Sequence, residues 1–332
     1  MIGHAFRIFK QISPRWARLI FAELRANVHN NAYHRKFYDS YLREYFEIND
    51  LLKEINCSSG YVVDIGASDG IIYSSTLPFF KNKRWIGLAI EMDPWKFTKL
   101  AYVYAKYNNT SLAMVRVIPR NIRSILEGFE VPKNFTFLNL DIDSYDLEVI
   151  DEILSSGYKP LLISMEINEK IPPSIFFTVK FDDKHYHQGD HFFGCSIGAA
   201  VEIIKPYGYK LSHLTQSNAF FVCKNTFVDK EDLDASTAYD QGYRNIKDRK
   251  VLYHYNEDMD CLLDMTDEEG LVFINKFFAK YEGKYEARII WLSPRLGQKL
   301  KDCPMCAETI KAKAIICRFC GHKFEPDIIG WV

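Results

Sequence analysis

The sequence lacks the marks of several large protein classes. No apolar run approaches the roughly 18–20 residues that a membrane-spanning helix needs, and the first residues lack the charged-then-apolar order of a signal peptide. Lys and Arg together number 42 against 43 Asp and Glu, so no excess charge attracts nucleic acid or anionic lipid. Internal repeats and low-complexity tracts are also missing. These absences predict a globular protein of the cytoplasm.

The chain does contain enough apolar material for a large core. It has 332 residues, of which 48 % are hydrophobic and 15 % aromatic, and this length predicts roughly two domains. Changes of pattern along the chain predict four regions. They are a helical amino-terminal extension (1–55), a main domain (56–226), a helical or irregular extension packed on the core (227–300) and a small cysteine-rich module (301–325).

The amino-terminal extension contains a basic helical pattern. Apolar residues recur at helical spacing within 15–28, and residues 1–36 include seven Lys or Arg but one acid. Two interpretations stay open. The helix packs on the domain with a solvated basic face, or it lies at an interface and contacts an anionic membrane or another polyanion.

The main domain alternates short apolar runs with helical stretches. The runs that predict strands are 61–65, 84–90, 111–117, 135–140, 160–165, 208–213 and 218–223. Alternation of strands and helices predicts a parallel sheet with both faces covered. The last two runs are too close together for a crossover helix, so we expect the last strand to be antiparallel.

A glycine-rich turn follows the first predicted strand. The segment Val62-Val-Asp-Ile-Gly-Ala-Ser-Asp-Gly70 ends a strand and should open a helix, where free backbone N–H groups face a ligand. Glu91 follows the second strand, 25 positions after Gly66. An acid at that distance commonly accepts hydrogen bonds from a ribose diol. The turn and the acid together predict a nucleotide-binding site.

Residues 60–225 resemble a class I S-adenosylmethionine (SAM)-dependent methyltransferase, closest to the FkbM-like group. The family's loop D-x-G-A-x-x-G is similar to Asp64 through Gly70. The resemblance implies a Rossmann-like α/β sheet, mostly parallel, with the last strand antiparallel. It also implies that SAM is bound by Asp64, Gly66, Ala67, Ser68, Asp69 and Gly70, with Glu91 on the ribose. For the adenine, Arg120 and Asn121 are the candidates after the third strand.

Acidic side chains follow the fourth and fifth predicted strands. Asp141, Asp143 and Asp146 come after the fourth strand, and Glu166 and Asn168 come at the end of the fifth. Carboxylates that meet at this edge repel each other unless a cation or substrate donors compensate. Three interpretations stay open: an acceptor site without metal, a site for Mg²⁺ or a similar hard cation, or helix capping by Asp143 or Asp146.

A histidine-rich loop lies between the fifth strand and the next helix. It contains His185, His187 and His191 within seven residues. A histidine there can serve as general base near neutral pH, and we select His191 as the first candidate. A solvated loop and a zinc site are the alternatives. The predicted catalytic set is therefore His191, Asp141, Asp143, Glu166 and Asn168.

Four of the eight cysteines lie close together near the end of the sequence. Cys303 and Cys306 form one C-x₂-C pair, and Cys317 and Cys320 form a second, with ten residues between the pairs. Four thiolates at this spacing complete a tetrahedral Zn²⁺ shell, whereas disulfides do not persist in a reducing compartment. Iron is a minor alternative. The segment resembles the small zinc ribbons appended to many bacterial proteins, and whether it binds a protein partner stays open.

Together these features predict a SAM-dependent methyltransferase with a structural zinc ribbon. The resemblance implies O-methylation of a hydroxyl on a small molecule, sugar or glycan. The alternative is a non-catalytic adaptor, in which a methyltransferase fold uses the zinc ribbon to bind a partner. A nucleic-acid methyltransferase is disfavoured by the balanced charge and by the lack of an Asn/Asp-Pro-Pro-Tyr/Phe motif.

Overall fold

A computed structural model describes residues 35–71, 74–184, 186–290, 300–306, 309–311 and 322–324. The chain divides into two compact units, Met1–Ile289 and Ile290–Val332. The basic pattern of residues 15–28 lies outside the described residues. Within the described part, no helix is both long and apolar enough to cross a membrane.

The first unit alternates strands and helices, as the sequence predicts. Its strands are β1 (Gly60–Ile65), β2 (Trp85–Glu91), β3 (Thr110–Met114), β4 (Phe137–Leu140), β5 (Leu162–Glu166), β6 (Ile175–Val179), β7 (Tyr209–Thr215), β8 (Asn218–Cys223) and β9 (Tyr285–Ile289). Its helices are α1 (Arg35–Glu54), α2 (Leu77–Phe80), α3 (Pro94–Tyr104), α4 (Pro119–Gly128), α5 (Asp146–Ser155), α6 (Ile197–Ile204), α7 (Ala235–Tyr239), α8 (Arg249–Leu252) and α9 (Asp267–Phe277).

Seven strands form one twisted sheet in the order β3-β2-β1-β4-β5-β8-β7. The first five are parallel, and β8 is antiparallel to both β5 and β7. This confirms the predicted α/β sheet with its antiparallel hairpin. The strand order changes direction between β1 and β4, and ligands bind at such a point in open α/β sheets.

Helix α1 covers one face of this sheet through an apolar stripe. Ile48, Leu51 and Leu52 are buried and belong to the same hydrophobic cluster as Phe137 of β4 and Phe220 of β8. The i, i+3, i+4 spacing places these three side chains on one face of the helix. The helix therefore lies over the central strands that lead to the site.

A second, two-stranded sheet joins the region after β5 to the end of the first unit. Strand β6 pairs antiparallel with β9, from Ile175 opposite Ile289 to Val179 opposite Tyr285. A separate hydrophobic cluster surrounds this pair and includes Phe177, Phe192 and Phe278. Neither β6 nor β9 was predicted from the sequence, because their pairing joins segments more than a hundred residues apart.

The second unit contains a small hairpin. Strand β10 (Leu300–Asp302) pairs antiparallel with β11 (Thr309–Lys311), so that Asp302 lies opposite Thr309. Cys303 and Cys306 lie in the connection between these strands. Cys317 and Cys320 lie outside the described residues.

Helix α1 also carries a buried acid on its apolar face. Glu44 is 3 % exposed, and its Oε1 accepts a hydrogen bond of 2.8 Å from Asn218 Nδ2 at the start of β8. Burial raises the pKa of Glu44 to about 8. The folded protein therefore holds a proton on Glu44 at pH values where an unfolded chain has released it.

We predict that Glu44 makes the protein less stable as pH rises. Since its pKa is higher in the folded state than in the unfolded state, the free energy of unfolding should fall from about pH 5 to about pH 8, by at most about 1.4 kcal/mol per pH unit from this group. Glu44→Gln removes that contribution, whereas Glu54→Gln on the same helix leaves it. Urea unfolding across this pH range measures both, and equal slopes for Glu44→Gln and wild type would contradict the prediction.

Candidate functional site

A cavity of about 390 Å³ opens at the carboxyl ends of β1, β2 and β4. Its lining comes from the loops that follow β1, β2, β3 and β4, together with Tyr186 and His187 from the segment after β6. It therefore lies where the strand order changes direction. The sheet brings together loops that are far apart in the sequence.

The loop after β1 makes a tight bend that requires glycine at its first position. Gly66 has a φ of +91°, and a Cβ atom added there would lie 1.6 Å from the backbone oxygen of Asp141. The N–H groups of Gly66 and Ala67 both donate to the carbonyl of Ile90, at 3.0 Å. Gly66 thus permits the loops after β1 and β4 to approach each other, and the cavity lies beside that contact.

Glu91 joins the loops after β1 and β2 within the cavity wall. Its Oε2 accepts a hydrogen bond of 2.8 Å from Ser68 N, and its Oε1 accepts one of 2.7 Å from Asp93 N. The residue is 6 % exposed and lines the cavity. Each carboxylate oxygen has a second lone pair, so both can accept a further hydrogen bond from a ligand hydroxyl.

Asp64 lines the cavity too, but its carboxylate is held within the protein. It accepts hydrogen bonds from Thr76 Oγ1 at 2.5 Å and from Asn139 Nδ2 at 2.9 Å. Burial raises its pKa above the usual value. Asp64 therefore ties β1 to β4 and to the start of α2, while it contributes to the floor of the cavity.

The last residues of the predicted SAM loop lie away from the cavity. A Cβ on Gly70 would meet Leu100 and Tyr104 of α3 at 2.6 and 2.8 Å, so glycine here permits helix packing. The Asp69 carboxylate accepts a hydrogen bond from Ile71 N at 3.0 Å and lies 4.0 Å from Lys99 Nζ. Ala67 and Ser68, in contrast, line the cavity as the sequence indicates.

The two residues considered for adenine are engaged elsewhere. Asn121 caps α4 by accepting from Ile118 N at 2.8 Å, and Arg120 pairs with Asp183 at 3.1 Å. The residues after β3 that line the cavity are instead 115–117, and Met92 and Ile142 line it as well.

Three carboxyl groups meet at the edge of the sheet next to the cavity. One oxygen from each of Asp141, Asp143 and Glu166 lies within 4.8 Å of the others. Burial, reinforced by the neighbouring acids, raises the pKa of both Asp141 and Glu166 well above their usual values. Glu166 Oε2 is buried and has no hydrogen-bond partner among the described residues. The raised pKa values mean that Asp141 and Glu166 keep protons to higher pH than usual unless a cation or hydrogen-bond donors compensate.

Asp146 has a structural position in the same loop. Its carboxylate accepts from Ile142 N at 2.9 Å and from Ser144 N at 3.0 Å, and it is fully buried. Burial raises the pKa of Asp146 to about 6. It closes the loop after β4 and so holds Asp141 and Asp143 in place. The capping interpretation was wrong, because α5 begins with no side-chain cap and Asp146 bonds N–H groups of the preceding loop.

Asn168 supports the histidine loop from behind. Its Nδ2 donates to the carbonyls of His191 at 2.9 Å and Phe193 at 3.0 Å, and its side chain is fully buried. Asn168 therefore stabilises the histidine loop through these hydrogen bonds, and it is not among the residues that line the cavity.

The two described histidines of the loop have different surroundings. His191 Nε2 lies 3.1 Å from Asp258 Oδ1, and burial, followed by the nearby Lys170 charge, lowers its pKa. It is not among the residues that line the cavity, whereas His187 is. The buried Nδ1 of His187 has no hydrogen-bond partner among the described residues. His185 lies outside the described residues.

Two residues of the cavity lining, Arg116 and Tyr186, were not singled out from the sequence. His187 also lines the cavity and had been considered as one of the three histidines of its loop. The signal for Arg116 is its position two residues beyond the carboxyl end of β3.

Comparison with known proteins identifies no family for this chain. No protein-family model matches the chain, and no curated protein matches it. Solved structures similar to it include a SAM-dependent methyltransferase from Aquifex aeolicus, at 15 % identity over 54 % of this chain and 89 % of that one, with a TM-score of 0.33. Another, from Clostridium acetobutylicum, has 8 % identity over 61 % and 98 %, with a TM-score of 0.38. A third is magnesium protoporphyrin IX methyltransferase from Synechocystis with bound SAH (S-adenosylhomocysteine), at 10 % identity over 60 % and 99 %, with a TM-score of 0.36. These neighbours are class I SAM-dependent methyltransferases, at identities too low to indicate a substrate.

Proposed function

We propose that this protein is a SAM-dependent methyltransferase of FkbM-like type that methylates a hydroxyl group on a small molecule or a glycan. The observation that carries the proposal is the position of Glu91. Its buried carboxylate faces a cavity at the switch point of the sheet and keeps a free lone pair on each oxygen. A ribose diol supplies two donors that fit this pair of acceptors.

The remaining lining fits the other parts of the same ligand. Gly66, Ala67 and Ser68 bring the backbone close to the cavity at the end that would hold the methionine portion. Met92 and Ile142, which also line the cavity, would offer apolar contacts for the adenine ring. When bound there, SAM supplies an electrophilic methyl group. The protein then has to orient the acceptor oxygen and accept its proton.

The acceptor end is assigned to the carboxyl cluster. Asp141 and Asp143 belong to the cavity lining, and Glu166 lies beside them. Carboxyl oxygens accept hydrogen bonds from hydroxyl donors, so they can orient a polyhydroxylated acceptor. His187 is the histidine placed to accept a proton at the cavity, and the sequence-based candidate His191 would need the loop to rearrange away from Asp258.

The same cluster suits a hard divalent cation. Asp141, Asp143 and Glu166 would hold Mg²⁺ or a similar ion, since oxygen ligands are what such ions prefer. Glu166 Oε2, which is buried and has no hydrogen-bond partner among the described residues, supports this assignment. A bound cation would supply a positive charge that acidifies an acceptor hydroxyl.

For the second unit we propose a structural zinc ion. Cys303 is buried and Cys306 half-buried, and both lie in the turn of the β10–β11 hairpin, packed with Phe324. A tight turn that carries a C-x₂-C pair is the geometry of a zinc knuckle. Cys317 and Cys320 would complete the four thiolates. We further propose that this unit is available for a protein partner and that the acceptor is not a nucleic acid.

The cofactor proposal predicts that the protein binds SAH through Glu91. Glu91→Gln removes one acceptor and the charge, so the affinity for SAH should fall at least about tenfold, as expected for loss of a charge-assisted hydrogen bond. Glu127→Gln, on exposed helix surface, should bind like wild type. Calorimetry measures all three, and no binding of SAH by the wild type would instead favour the non-catalytic adaptor.

The cation proposal predicts one Mn²⁺ bound per chain in the presence of SAH. Glu166→Gln and Asp143→Asn each remove a ligand and should weaken binding, whereas Asp50→Asn on the exposed side of α1 should not. Because burial raises the pKa of Asp141 and Glu166, protons compete with the cation and the affinity should rise with pH. Electron paramagnetic resonance of free Mn²⁺ measures this. Equal affinity for Mn²⁺ in wild type and Glu166→Gln would contradict the cation proposal and favour an acceptor site without metal.

The zinc proposal predicts one zinc per chain after purification without added metal. Cys303→Ser should lose the metal, because three thiolates hold Zn²⁺ less tightly than four. Cys261→Ser, an exposed cysteine of the first unit, should retain it. Elemental analysis of the three proteins decides, and zinc retained by Cys303→Ser would show that the ion is held elsewhere.

A further inference from the structure

The outer wall of the cavity is formed by a segment that does not belong to the sheet. After β6 the chain passes across the cavity, and Tyr186 and His187 line it. We call residues 181–184 and 186–187 the strap. Tyr186 is half exposed, with 50 % of its surface accessible, so one side of the strap faces solvent and the other faces the cavity.

One arginine of the cavity lining bonds the strap directly. Arg116 follows β3, and its Nη1 and Nη2 donate to the carbonyls of Asp183 at 2.7 Å and Asp182 at 3.2 Å. Its guanidinium carbon lies 4.5 Å from the centre of the Tyr186 ring. The same side chain thus bonds the strap backbone at two residues and contacts the ring that lines the cavity.

Arg116 is itself fixed by the cavity wall. Its Nε donates to Tyr145 Oη at 3.1 Å, and Tyr145 Oη donates to the carbonyl of Val117 at 2.9 Å. The Tyr145 ring packs edge-on against Phe181 of the strap, with 4.8 Å between ring centres. The planar fork of arginine makes these contacts simultaneously, and the single ammonium of lysine could not.

Other polar contacts also hold the strap. Arg120 pairs with the Asp183 carboxylate at 3.1 Å, with side chains 68 % and 55 % exposed, and an ion pair of this exposure contributes little. Lys284 lies 3.0 Å from Asp182.

The start of the strap is bonded as well, since Phe181 N donates to Glu148 Oε1 at 2.9 Å. The half-buried Arg116 differs from these contacts, because it bonds two strap carbonyls and also contacts the ring that lines the cavity.

We propose that Arg116 is a positioning residue that holds the strap across the cofactor cavity, so that Tyr186 and His187 close it. This inference rests on the proposed function, because the ligand enclosed is SAM or SAH. If the strap has to detach before the ligand leaves, weakening the strap speeds dissociation more than it changes association. A residue that only supports the fold would instead alter thermal stability.

The test measures association and dissociation rates of SAH separately, by stopped-flow fluorescence, together with the melting temperature. Arg116→Lys keeps the charge but cannot make the fork, so dissociation should accelerate about tenfold, with association changed by less than about threefold. Tyr186→Leu removes the ring that Arg116 contacts, so it should also accelerate the dissociation of SAH. Because Tyr186 is half exposed, this variant should fold even if Arg116→Lys does not. Arg123→Lys on α4, which pairs with Glu127 and not with the strap, is the matched control.

The outcomes separate this inference from the proposed function. SAH that binds wild type but dissociates at an unchanged rate from both Arg116→Lys and Tyr186→Leu would overturn the role of Arg116. Faster dissociation in both variants, with the control unchanged and melting temperatures preserved, supports it. Absence of SAH binding in the wild type would overturn the proposed function and, with it, this inference.

Discussion

The site depends on the two hydrogen bonds that the Glu91 carboxylate accepts. The carboxylate bonds one N–H from the loop after β1 and one from the loop after β2, and so it fixes two loops that come from different strands. On the other side, Gly66 lets the loop after β4 approach to within contact. These two constraints define a cavity whose wall presents acceptor lone pairs. The proposed recognition of a ribose diol follows directly from them.

Buried acids divide into two kinds around this cavity. Asp64 and Asp146 have their carboxylate oxygens bonded within the protein, and they fix loops. Asp141 and Glu166 lie against each other with few donors, and Glu166 keeps a buried oxygen without a partner among the described residues. Burying carboxyls in this way is unfavourable unless protons, a cation or substrate donors compensate. The proposed acceptor or cation would supply that compensation.

Much of this arrangement could be predicted from the sequence because it depends on strand ends. Apolar runs locate the strands, and parallel strands bring the residues that follow them to one edge, so Glu91, Asp141 and Glu166 were placed correctly relative to the sheet. The choice of histidine depended on a different kind of information. His191 is paired with Asp258, 67 positions away in the chain, and no local pattern predicts that contact. The role of Gly70 in helix packing likewise depends on α3 and not on its own loop.

Contacts between distant loops also account for what the sequence did not reveal. The strap lies across the cavity because Arg116 bonds backbone carbonyls, and carbonyls are present at every residue, so they carry no sequence signal. Strands β6 and β9 pair across more than a hundred residues of intervening chain, so no local pattern predicts their partner. The zinc ribbon indicated by the cysteine spacing stays a prediction, because Cys317 and Cys320 lie outside the described residues.

A crystal structure of the protein grown with SAH will show whether this cavity binds the adenosyl group with its ribose on Glu91. We expect SAH between the loops after β1, β2 and β4, with both ribose hydroxyls within hydrogen-bond distance of the Glu91 carboxylate. A cavity without density for SAH, or SAH bound at another place without contact to Glu91, would contradict this expectation.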